Sequence, residues 1–150
     1  MKYESTSLEE TTEIAKKFVL YIESSQDQAK QYAGKACVVG LYGDLGSGKT
    51  TFTQAVAKIL GITEVVNSPT FVIEKIYKLE HERFEHLIHI DAYRLEKSSE
   101  LEKLGWKEIT EDPKNLIFIE WPERVVDIIP EHIQKIYFTF IDEKTREIIF

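Results

Sequence analysis

Apolar positions fall into two rhythms along this chain. Ile14, Ala15, Phe18, Tyr21 and Ile22 recur at helical spacing, and Ser7-Leu8-Glu9-Glu10 supplies the S-x-x-E signal of a helix start. Ser24 to Lys35 is polar without a clear period, which predicts a helix end and a loop. Ala36 to Tyr42 is almost continuously apolar, as a strand buried on both faces should be. Helical spacing returns from Thr51 to Leu60 through Ala55, Val56, Ile59 and Leu60, with Gly61 as the stop. The run from Val65 to Thr70 turns at Pro69. Phe71 to Tyr77, Leu87 to Asp91 and Leu116 to Glu120 then read as strands. A helix is predicted from Ser98-Ser99-Glu100 through Leu101 and Leu104 to Gly105, and a short one opens at Pro122. Ile136 to Ile141 and Arg146 to Phe150 flank Asp142-Glu143-Lys144-Thr145 as a terminal hairpin. Strands alternating with helices indicate an α/β chain in three layers, its central sheet mostly parallel with antiparallel additions.

The 150 residues are expected to form a single domain, large enough to bury about two-thirds of the unfolded surface without a staple. The one cysteine, Cys37, has no internal partner and falls in a core strand, so it reads as a packed thiol in a reducing, cytoplasmic setting. Met1 to Thr6 leads into a charged helix and not an apolar leader. No run approaches the roughly 18 apolar residues of a membrane span. The net charge of −7, from 26 acidic and 19 basic residues, argues against a broad nucleic-acid footprint. A role in RNA biology would then run through other proteins.

One motif changes the picture most. Gly43-Asp44-Leu45-Gly46-Ser47-Gly48-Lys49-Thr50 fits G-x-x-x-x-G-K-[ST] at every fixed position and lies between the first buried strand and a helix. Glycines let the backbone curl round an anion with N–H groups pointing inward, Lys49 reaches the outer phosphates, and the Thr50 hydroxyl can ligate Mg²⁺. Asp91 and Glu120 each end a mostly apolar strand, where ligands of open α/β sheets bind, and each could serve as a metal-site carboxylate. Ser68-Pro69-Thr70 lies where nucleotide switches place a γ-phosphate-sensing threonine, though such a tripeptide also makes an ordinary turn. His81 and His86 are five apart and do not share a helix face, so no zinc-protease motif is present. His132 and the terminal hairpin carry no constellation. With no D-x-x-G after the loop and no N-K-x-D, adenine nucleotides are favoured over guanine. A P-loop kinase remains an alternative, but Arg83, Arg94, Arg124 and Arg146 form no cluster resembling a lid. A nucleotide-binding module without hydrolysis is a third reading.

Taken together, Gly43 to Thr51, Asn67-Ser68-Pro69-Thr70-Phe71, His89-Ile90-Asp91-Ala92-Tyr93-Arg94, Glu100 to Gly105 and Glu120-Trp121-Pro122 resemble the TsaE (YjeE) family. These are small bacterial P-loop ATPases of tRNA threonylcarbamoyladenosine biosynthesis. The resemblance extends from the Ser7-to-Thr11 helix start to the closing hairpin and implies a P-loop NTPase fold. It also implies Mg²⁺-dependent ATP hydrolysis coupled to the TsaD and TsaB proteins of the threonylcarbamoyl-transferase complex. By position it implies that Lys49 holds the outer phosphates, that Thr50 and Glu120 bind Mg²⁺, that Asp91 is the catalytic carboxylate and that Thr70 is the switch residue. Trp121 is then expected beside the nucleotide, and Leu8 to Thr11 near the adenine. Ser47 stands where the family commonly has alanine, and its hydroxyl could donate to a phosphate.

Overall fold

The computed structural model describes residues 1–24, 32–67, 69 and 72–150. Most of the polar stretch expected as a loop before the first buried strand, together with Ser68, Thr70 and Phe71, lies outside the described residues. Among the described residues seven strands form one sheet: β1 (Lys2–Ser5), β2 (Cys37–Tyr42), β3 (Glu74–Lys78), β4 (His86–Asp91), β5 (Asn115–Glu120), β6 (Gln134–Phe140) and β7 (Arg146–Ile149). Their spatial order is β1-β7-β6-β2-β5-β4-β3. The central four, β6-β2-β5-β4, run parallel, while β3, β7 and β1 add antiparallel edges. This is the mixed α/β sheet that the strand patterns predict.

Side chains alternate across the pleat and feed two cores. On one face Cys37, Val39, Leu41, Leu116 and Phe118 meet α1 (Leu8–Ser24) and α2 (Lys49–Ile59). Phe18 of α1 joins both helices and the sheet, with ring centroids 5.9 Å from Phe52 and 6.2 Å from Phe118. On the other face Val38, Ile88, Ile90, Ile117 and Ile119 pack with residues of α3 (Ser98–Glu102), α4 (Trp106–Glu111) and the short 3-10 helix Pro122–Val125.

Two elements were not legible in the pattern. Strand β1 has only four residues, and a single one, Ser5, is buried; its pairing with β7 creates it. Helix α4 follows directly on Gly105, predicted only as a stop, because Gly105 adopts φ 87° and the chain re-enters a helix at the buried Trp106. The helix start at Ser7 forms with a shift: the Glu10 N–H donates to Ser7 Oγ at 3.1 Å, while the Glu10 carboxylate accepts from the Thr6 N–H at 2.5 Å. Among the described residues no helix is long and apolar enough to cross a membrane.

Candidate functional site

The parallel strands β2, β4 and β5 all point their carboxyl ends to one edge of the sheet, and a cleft of about 600 Å³ opens there. That volume lies within the range of small-molecule sites. Residues 43–48 connect β2 to α2 as a tight loop. Gly43 has to be glycine: a Cβ would stand 2.6 Å from the Phe138 carbonyl oxygen of β6 and 2.7 Å from Ser47 Oγ. Gly48, at φ 104°, turns the chain into α2, and no side-chain oxygen caps that helix's first turn. The N-terminal N–H groups and the positive end of the helix dipole therefore face the cleft, an arrangement suited to a phosphate.

Lys49 is buried, and its ammonium donates to the Gly43 carbonyl and, at 3.4 Å, to that of Asp44, while lying 4.0 Å from the Trp121 ring centroid. Burial pulls the Lys49 pKa below the usual lysine value, opposed by the negative charges of Glu120, Glu123, Asp91 and Asp44. Trp121 holds its ring at the cleft through a left-handed backbone, φ 57° and ψ 47°. The Pro122 ring disfavours the right-handed alternative for the preceding residue, and the conformation costs about 1 kcal/mol. Tyr93 lies against Trp121, with centroids 5.2 Å apart.

The parallel register sets Asp91 of β4 directly beside Glu120 of β5. Both are almost wholly buried. Thr50 Oγ1 lies 3.4 Å from Glu120 Oε1, and His89 Nε2 lies 2.8 Å from Glu120 Oε2. The Tyr93 N–H donates to Asp91 Oδ1 at 2.9 Å. Among the described residues no group of three His, Cys, Asp or Glu side chains could hold a metal unaided. The hydroxyl and two carboxylates gathered here are nonetheless the hard oxygen donors that Mg²⁺ takes when phosphate and water complete its shell.

Of the residues singled out in the sequence, Leu8, Thr11, Leu45, Gly46, Ser47, Gly48, Lys49, Thr50, Thr51, Asp91, Glu120 and Trp121 line this cleft. Gly43 and Asp44 form the base of the loop and offer their carbonyls to Lys49. Thr70 lies outside the described residues. The terminal hairpin, which showed no constellation in the sequence, brings Glu143, Lys144 and Arg146 to the cleft wall. The Arg146 side chain spans to the phosphate loop, its Nε donating to the Gly46 carbonyl at 3.2 Å and its Nη1 to the Asp142 carbonyl at 2.6 Å. No local signal could reveal that contact, which joins positions 100 residues apart. His89, by contrast, was legible in principle: it lies two residues before Asp91 and so on the same strand face.

The family model for threonylcarbamoyl adenosine biosynthesis protein TsaE matches residues 5–148. The chain is 35% identical over 150 residues to the tRNA threonylcarbamoyladenosine biosynthesis protein TsaE of Bacillus subtilis, covering 100% of this chain and 84% of that one. It is 34% identical over 131 residues to the protein of the same name from Treponema pallidum, covering 83% and 93% of the two. A crystal structure of Bacillus subtilis YdiB superposes with a TM-score of 0.69 at 30% identity, over 99% of this chain and 82% of that one.

Proposed function

Because the chain belongs to the TsaE family, we propose that it binds and hydrolyses ATP with Mg²⁺ in tRNA threonylcarbamoyladenosine formation, acting in the cytoplasm as a single domain with TsaD and TsaB. The observation that carries this reading is the meeting of Lys49, Thr50, Asp91 and Glu120 at one cleft under an uncapped helix N-terminus. In this reading the N–H groups of residues 46–50 cradle the phosphates. Lys49 leaves the Gly43 and Asp44 carbonyls for the outer phosphates, so its short reach within the loop is exchanged for a charge-assisted contact. Thr50 and Glu120 would hold Mg²⁺, which would supply positive charge beside the phosphate oxygens. Asp91, fixed by the Tyr93 N–H, orients the attacking water. Trp121 covers the phosphates and keeps Lys49 directed inward. Thr70 follows the γ-phosphate, and Leu8 to Thr11 face the adenine. The acidic surface balance suits a protein that meets other proteins before it meets RNA.

The test is ATP turnover of the chain alone and with TsaD and TsaB, together with tRNA modification by the Lys49→Ala variant. Stimulated turnover and a modification defect support the reading. Equal turnover with and without partners, combined with normal modification by Lys49→Ala, refutes it. Transfer of labelled γ-phosphate to an acceptor other than water would instead favour the kinase alternative.

A further inference from the structure

We infer that His89 is a positioning residue that aims the Glu120 carboxylate at the metal position, an inference resting on the Mg²⁺-nucleotide reading above. His89 is wholly buried in the sheet, on the same pleat face as Asp91, and its register partner Phe118 lies two residue pairs back from the Asp91–Glu120 pair. Its imidazole reaches diagonally to the neighbouring strand, with Nε2 2.8 Å from Glu120 Oε2. With Glu120 as the acceptor, Nε2 is the donor of this hydrogen bond.

The geometry divides the two carboxylate oxygens. Oε2 is held by His89, and Oε1 is turned toward Thr50 Oγ1 at 3.4 Å, at the mouth of the phosphate loop. The last torsion of a glutamate side chain is broad and roughly two-fold, so an untethered carboxylate would rotate freely through orientations useless for ligation. One hydrogen bond to one oxygen removes that freedom and directs the other oxygen at the loop. Carboxylates that ligate metals are commonly held in this way by a neighbour that never touches the metal.

The other ring nitrogen strengthens the case. His89 Nδ1 is buried and has no hydrogen-bond partner among the described residues. A residue selected only for packing in this layer would be apolar, as Leu87 and Phe118 are on the same face. Burying a ring nitrogen without a partner costs stability, and the hydrogen bond made by the other nitrogen is what offsets it.

The test compares wild type with His89→Leu, which puts an apolar side chain of similar bulk in its place and removes the donor, and His89→Gln, whose amide can donate from about the Nε2 position. ADP binding is followed by intrinsic tryptophan fluorescence, first in EDTA and then across a MgCl₂ titration. Expected is an increase of about 10- to 100-fold in the Mg²⁺ concentration needed by the Leu variant. The Gln variant should recover most of that loss, and affinity for ADP in EDTA should stay the same in all three. If His89→Leu does not fold, His89→Asn, whose amide falls short of Glu120, takes its place. Unchanged Mg²⁺ dependence in the Leu or Asn variant overturns the inference, as does a Gln variant no better than it, or an equal loss of ADP affinity in EDTA. Wild type binding ADP with no Mg²⁺ dependence would overturn the Mg²⁺-nucleotide reading itself, and this inference with it.

Discussion

Substituting Gly43 by alanine should damage the site by moving the whole phosphate loop. The added Cβ would stand 2.6 Å from the Phe138 carbonyl oxygen, 2.7 Å from Ser47 Oγ and 3.0 Å from Phe138 Cβ. The Ser47 hydroxyl has no hydrogen-bond partner among the described residues and can rotate away. The Phe138 carbonyl cannot, because Phe138 is held in register with Ile148 of β7 and follows directly on Tyr137, the last residue of β6 paired with β2. Non-bonded heavy atoms rest at about 3.5 Å, so the loop must retreat by roughly 0.5–1 Å. Overpacking of this kind costs about 1–3 kcal/mol, and the φ of 152° adds strain for any side chain. With a urea slope of about 2 kcal/mol/M, a loss near 2 kcal/mol lowers the unfolding midpoint by about 1 M. A loop displaced this far no longer holds its N–H groups at hydrogen-bond distance from a phosphate, so ADP affinity should fall as well.

Gly61→Ala is the matched control. Gly61 has φ 87° but nothing within 4 Å of where its Cβ would stand, so only backbone strain of about 1 kcal/mol applies, and it lies away from the cleft. Urea unfolding and ADP titration of both variants decide the matter. If Gly43→Ala unfolds at the same urea concentration as Gly61→Ala and binds ADP like wild type, the collision with β6 has no consequence and the reasoning is wrong.

Phe18→Ala removes the ring shared by α1, α2 and the sheet and should lower stability by about 3–5 kcal/mol, read by chemical denaturation; a loss under about 1 kcal/mol would contradict the packing described. Cys37 is buried, and desolvation pushes its thiol pKa up to about 12, so it should stay unreacted with iodoacetamide at pH 8 until the chain is unfolded; modification of the native protein at the rate of a free thiol would refute this. Asp142 accepts hydrogen bonds from the N–H groups of Lys144 and Thr145, at 2.8 Å each, which hold its pKa below the ordinary aspartate value. A depressed folded pKa means that the stabilisation is present above the unfolded value and lost as pH falls through the folded one. Wild type should therefore exceed Asp142→Ala in urea midpoint at pH 7, with the gap closing toward pH 3; a gap independent of pH would contradict the assignment.

How much the sequence revealed depended on how local the cause was. The phosphate loop and the two acids were legible because chain direction alone places strand ends at one edge of a parallel sheet, so Asp91 and Glu120 had to converge with Lys49. The register that makes them immediate neighbours was not legible, since an apolar run such as Leu116 to Glu120 does not say which residue it faces. Helix α1 announced itself through Ile14, Phe18 and Ile22, whereas β1 has too few residues to show an alternation and exists through its partner. Arg146 carries no local mark at all. Its place against Gly46 follows from β7 closing on β6, and it sits 4.5 Å from the Phe140 ring only once that hairpin has formed.

The pairing of β1 with β7 also sets the order in which the cleft can be completed during synthesis. Ser5, Thr6 and Leu8 from the first elements share its wall with Glu143, Arg146 and Ile148 from the last hairpin. A chain emerging from the ribosome can pair Asp91 with Glu120 once β5 has emerged. It cannot finish the wall until residue 148 is free to pair. Nucleotide is therefore gripped fully only by chains whose synthesis has passed that point, and a nascent chain halted before β7 should release nucleotide faster than the finished one.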